Sequence, residues 1–113
     1  MSEFDWREEL PVAITVTAAD GTILEMNARS REMFAADGGA ALIGQSVFSC
    51  HPEPARSKTS DLYARQSPNH YTIRKGGQKK IIHQLPWFEN GQFGGFVEFA
   101  VPIPDELPHF DRK

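Results

Sequence analysis

The chain has 113 residues, a formal net charge of −3 and a single cysteine. That length suits one domain with a modest core, a mildly acidic balance without a basic run argues against a nucleic-acid partner, and one cysteine rules out an internal disulfide. The apolar runs are too short to span a bilayer and the acidic start MSEFDWREEL does not read as a signal peptide, so no membrane partner and a cytoplasmic setting are expected.

Residues 1–10 read as an N-terminal amphipathic helix, with Trp6 and Leu10 four apart on one face and Pro11 ending it. Such a helix either packs on the domain or makes a dimer contact. Val12, Ile14 and Val16 then alternate with Ala13, Thr15 and Thr17 at the period of a half-buried strand. Asp20-Gly21 supplies a tight turn, TILEM is the partner strand, and Asn27 caps a short helix over ARSREMFA. The glycines at 38 and 39 break that pattern.

GQSVFSCHPEPARSK, residues 44 to 58, leads into the longest helical stripe, Ala55, Thr59, Leu62 and Tyr63, expected to run from Glu53 to about Gln66. Pro52 suits the first turn, where its missing N–H costs nothing. Cys50 and His51 are thereby expected just before the helix start, where the dipole lowers a thiol pKa and disfavours a histidine cation.

The remainder reads as sheet. NHYTIRK sets Tyr71, Ile73 and Lys75 against His70, Thr72 and Arg74, GGQ turns it, and KKIIHQLPWF follows. Asn90-Gly91 is a strong hairpin signal into QFGGFVEFAVPI, with Phe93, Val97, Phe99 and Val101 expected on one face. Pro86 predicts a bulge or an edge in the strand that holds it. Residues 104–113, proline-rich and charged, read as a flexible C-terminal tail. The order gives an α+β domain over residues 11–103, a five-stranded antiparallel sheet with short helices and one longer helix on one face.

ADGTILEMN, ALIGQSV and ENGQFGGFVEF, in that order and spacing, resemble the PAS domain family. VFSCHPEPARSK, YTIRKGGQKKIIHQLPWF and GGFVEF are similar to a subgroup of PAS-like sensory domains with a Cys-His-Pro element before the long helix. The resemblance implies a sensory or signal-transduction module without catalysis of its own, binding a small organic ligand between sheet and helices, a signalling partner protein, or both. It also implies a homodimer. A ligand-free dimerisation or scaffolding module is the alternative, and a haem-binding redox or gas sensor a further one.

No cofactor is identified. The Ser49-Cys50-His51-Pro52 context departs from that of flavin-binding photoreceptor domains, and haem would need His51, His83 or Cys50 as axial ligand. Cys50, His51, His70 and His83 lack a metal-site spacing. An enzyme is not expected, because neighbouring Cys50 and His51 rarely meet productively and no orienting group is identifiable. The candidate ligand-binding residues are His51, Tyr71, His83, Gln84 and Trp87, which mix apolar wall with directional polar groups. Each has a plainer role. Cys50 serves as a small buried hydrophobe, His51 as a backbone partner at the helix entrance and His83 as a rim histidine, while of Trp87 and Phe88 one faces the core.

Overall fold

Strand β1, Ala13–Thr17, runs through the β-branched alternation seen in the sequence and turns at Asp20-Gly21 into β2, Ile23–Met26. In this computed structural model, residues 4–50 and 52–113 are described, residue 50 by its backbone alone. Asp20 accepts a hydrogen bond from the Thr22 backbone N–H at 3.0 Å and so holds the turn. Asn27 caps α1, Ala28–Met33, by accepting from the Ser30 N–H at 3.0 Å. Two short 3₁₀ turns, Ala35–Asp37 and Gly39–Leu42, and a one-turn helix α2, Val47–Cys50, lead to α3, Ala55–Arg65. The chain then returns as β3, Asn69–Lys75, β4, Gln78–Glu89, and β5, Gln92–Ile103.

The strands form one antiparallel sheet in the order β2-β1-β5-β4-β3, with the helices on one face. This is the expected α+β architecture. Pro86 lies beyond the reach of β3, whose pairing with β4 ends at Asn69 and Gln84, so its missing N–H falls on a locally free edge. A bulge follows it, between Trp87 and Phe88. That bulge changes one expectation: Gly94 is the extra residue on β5, so Phe93 turns inward to pack edge-on against Phe96 while Val97, Phe99 and Val101 keep to the outer face.

Three further expectations shift. Residues 4–10 form turns, with Glu8 N–H bonded to the Asp5 carbonyl and Leu10 N–H to that of Arg7, rather than a helix. Polar side chains hold this segment: Asn27 donates to the Arg7 and Val12 carbonyls, and Arg31 pairs with Glu8. That Arg31 hydrogen bond keeps the Glu8 carboxyl below its ordinary value. The long helix starts two residues late, at Ala55 with Pro54 as its cap, so Pro52 precedes the helix instead of opening it. The Cys50 backbone therefore ends α2 and does not adjoin the start of α3. The expected roles of the Cys50 thiol and of His51 lie outside the described residues.

The core comes in three small groups. Ala13, Ile82 and Ala100 lie at the sheet centre; Ile23, Met26 and Leu42 lie under the 3₁₀ turns; Leu62, Tyr63 and Phe96 join α3 to β5. The space between these groups positions the site.

Candidate functional site

A cavity of about 940 Å³ lies between the inner sheet face and the helical layer. That is near the upper end of the roughly 300–1,000 Å³ typical of small-molecule sites. Register defines its floor. One cross-strand row is Ala13, Ala100, Ile82 and Tyr71; the next is Thr15, Glu98, Gln84 and Asn69. Neighbouring inward rows differ by two residues along each strand, so both point to the helices. Of the first row, Ile82 and Tyr71 reach the lining, while Ala13 and Ala100 are buried in the core group that Met33 and Ile73 pack against.

The second row is polar throughout. Asn69 Nδ2 donates to Gln84 Oε1 at 2.8 Å, and Gln84 Nε2 donates to Glu98 Oε1 at 3.0 Å. Thr15 Oγ1 and Ser30 Oγ share a hydrogen bond of 2.6 Å, which joins the row to α1. At the bulge end, Thr17 accepts from the Phe96 N–H at 3.2 Å and its hydroxyl bonds Tyr63. The Thr17 carbonyl also accepts from the Trp87 indole at 2.9 Å. Burial raises the Tyr63 phenol above its ordinary value, the Thr17 bond opposes that rise, and the charge of Glu98 adds to it. Tyr71 is raised by burial first and Glu98 second.

The helical wall comes from Leu62 and Tyr63 of α3, with Met33 and Phe34 of α1 and Val47 of α2. Lys58, Asp61 and Arg65 stand exposed at the rim, where Arg65 pairs with Asp61 at 3.0 Å. A smaller cleft of about 280 Å³ lies beside the N-terminal turn, lined by Arg7, Glu25 and Leu24 among others. It is an ion-paired surface groove, with Arg7 bonded to Glu25 at 3.0 Å.

The structure brings Tyr71 and Gln84 of the sequence candidates together on the cavity lining. His83 sits on the opposite, outer face, because neighbours along a strand alternate and Gln84 points inward. There its Nδ1 lies 2.9 Å from Nδ1 of His70. Trp87, four residues on along the same strand, shares that outer face, half-buried with its ring over Gly94 and its indole donating to the Thr17 carbonyl. Sequence reasoning missed Thr15, Asn69 and Glu98, whose alignment depends on pairing β1 with β5, far apart in the chain. Strand parity alone separates Gln84 from His83 and was the available signal.

A family model described as PAS fold matches residues 8–105. The chain belongs to the PAS family. Among solved structures, the PAS domain of the histidine kinase ThkA is 16% identical, with a TM-score of 0.64, over 81% of this chain and 99% of that one. The PAS domain of BvgS from Bordetella pertussis is 19% identical, with a TM-score of 0.63, over 88% and 82%. A Vibrio cholerae receptor, described as a dual PAS-haem oxygen sensor, is 19% identical with a TM-score of 0.59 over 82% and 95%. At these identities the likeness carries the PAS fold and nothing finer. No curated protein matches the chain.

Proposed function

We propose that this PAS domain is a sensory module that binds a small organic ligand in the cavity above the sheet and relays its occupancy to a signalling partner protein. The observation that carries the reading is the cavity itself, large, lined by apolar side chains and floored by an oriented polar row. Its PAS membership and the sensor kinases among its structural relatives support the sensory role. Tyr71 and Gln84 are the sequence candidates we retain as ligand contacts. The Cys-His-Pro element at residues 50–52 is the basis for placing the chain in the corresponding PAS-like subgroup. Cytoplasmic action, without catalysis, is part of the same reading. Among the described residues no helix is long and apolar enough to cross a membrane.

A second reading, a ligand-free dimerisation module, draws on a different surface. Ile81, Leu85, Val97, Phe99 and Val101 stand half-buried on the outer face, and Leu24 is exposed. A homodimer through this face is compatible with ligand binding on the other. Haem finds less support, since no histidine among the described residues lines the cavity.

Native mass spectrometry and absorbance of the protein as isolated separate these readings. The expected result is a small-molecule mass increment, lost on denaturation and reduced in a Gln84→Phe variant that puts a ring on the cavity floor. Unliganded protein that is wholly dimeric, with no increment under any growth condition, would favour the second reading. A Soret band would establish haem.

A further inference from the structure

The polar row of the cavity floor is not used up by its own hydrogen bonds. A carboxylate accepts hydrogen bonds and offers none, so Gln84 must turn its amide nitrogen to Glu98 and its oxygen to Asn69. Asn69 must then be the donor to Gln84, which leaves its own oxygen outside that bond. This orientation follows from chemistry, however amide nitrogen and oxygen are assigned. An amide side chain has two N–H donors and one carbonyl acceptor. Among the described residues, the Asn69 oxygen, the second Asn69 N–H and the second Gln84 N–H take no further partner. Donor and acceptor thus stand side by side, half-buried, where β3 forms an edge of the sheet.

Apolar lining adjoins them, with Ile82 on β4, Ile73 on β3 and Leu62 on α3. The charges of the lining are placed differently. Asp37, Lys58, Asp61 and Arg65 are exposed on the helical side. Glu98 is engaged, by Gln84 and by a further interaction. The Tyr71 phenol, two residues from Asn69 on the same face of β3, is raised by burial first and by the charge of Glu98 second, so negative charge is disfavoured at this end of the floor.

Resting on the ligand-binding reading above, we propose that the cavity selects an uncharged carboxamide or lactam, whose N–H donates to the Asn69 oxygen and whose carbonyl accepts from the free N–H groups of Asn69 and Gln84, with its apolar body against Ile73 and Ile82. Each half-buried amide group then gains a partner that a purely apolar ligand would deny it. A charged ligand would give up its hydration for partners that carry no opposite charge.

The test uses four probes of matched shape: benzamide, acetophenone, benzoate and benzamidine. Benzamide carries donor and acceptor, acetophenone the acceptor alone, benzoate a negative charge and benzamidine a positive one. Each is titrated into the full chain and followed by amide chemical shifts. Benzamide should shift Asn69, Ile82 and Gln84 and bind about tenfold more tightly than acetophenone, with both ions weaker than benzamide. Asn69→Leu removes donor and acceptor at similar volume, so it should bring benzamide to the level of acetophenone. Asn69→Asp puts a carboxylate at the same place and should make benzamidine the tightest of the four, a gain that loss of folding does not mimic. Benzamide no tighter than acetophenone, either ion the tightest in the parent protein, a benzamide preference unchanged in Asn69→Leu, or benzamide still the tightest in Asn69→Asp would overturn the inference alone. Lining residues that respond to none of the probes would overturn both it and the ligand-binding reading of the cavity.

Discussion

Asn27 does more than cap a helix. Its side-chain oxygen accepts from the N–H groups of Ile14 and Ser30, and its nitrogen donates to the carbonyls of Arg7 and Val12. One buried amide thus fastens β1, α1 and the N-terminal turn to one another. Truncation leaves several buried partners unsatisfied, each costing about 1–3 kcal/mol before relaxation. Asn27→Ala should therefore lower stability by about 2–4 kcal/mol, read from a urea unfolding midpoint. A loss under about 1 kcal/mol, in the range of a simple cap, would show that water replaces the amide. The cap was legible in the sequence, because asparagine before a helical pattern is a local signal. The three contacts to residues 7, 12 and 14 were not, since they depend on where the sheet places a distant turn. For the same reason residues 4–10 are held by polar tethers and not by a helical face: Trp6 stays 56% exposed, so its spacing with Leu10 marked no packing stripe.

At the scale of the element, the decisive place is the double glycine of β5. A side chain at Gly95, where φ is +142°, would put its Cβ 1.9 Å from the Thr17 carbonyl oxygen. At Gly94 a Cβ would fall 2.2 Å from the Trp87 ring. The two glycines let β5 pass close to the end of β1 and seat the tryptophan, and the bulge beside them turns Phe93 toward Tyr63 and Phe96. Gly95→Ala should cost about 3–5 kcal/mol, against about 1 kcal/mol for Gly91→Ala in the open hairpin turn, where a Cβ meets nothing within 4 Å. Thermal unfolding of the two variants side by side checks the contrast, and equal losses would mean that the sheet shifts to accommodate Gly95→Ala. The strands and the Asn-Gly hairpin were legible because period and turn chemistry are local. The face of each side chain was legible up to the bulge and no further, since one extra residue reverses the alternation. Hence the parity of Tyr71 and Ile73 was readable, while Phe93 was grouped with residues of the opposite face.

The whole molecule is built unevenly about its cavity. On one side is a five-stranded sheet whose central strands, β1, β5 and β4, each pair with a neighbouring strand on either side. On the other is α3, eleven residues long, of which Leu62 and Tyr63 alone are buried. A helix of that length has little stability of its own in water. Tyr63 does most of the anchoring, stacking near Phe48 and Phe96 at 5.1 and 4.7 Å between ring centres and bonding Thr17. The sheet is therefore the rigid wall of the cavity and α3 the wall able to open, which is what entry of a ligand to a largely covered floor requires. Amide hydrogen exchange should show α3 opening as a unit while β1, β4 and β5 remain protected to the level of global unfolding. Tyr63→Phe removes the bond to Thr17 and keeps the ring packing, so it should speed exchange in α3 by about three- to tenfold and leave the central strands unchanged apart from their share of any global loss. Equal protection of α3 and the strands would mean that the helix opens only when the whole domain unfolds, and the route into the cavity would then have to lie elsewhere.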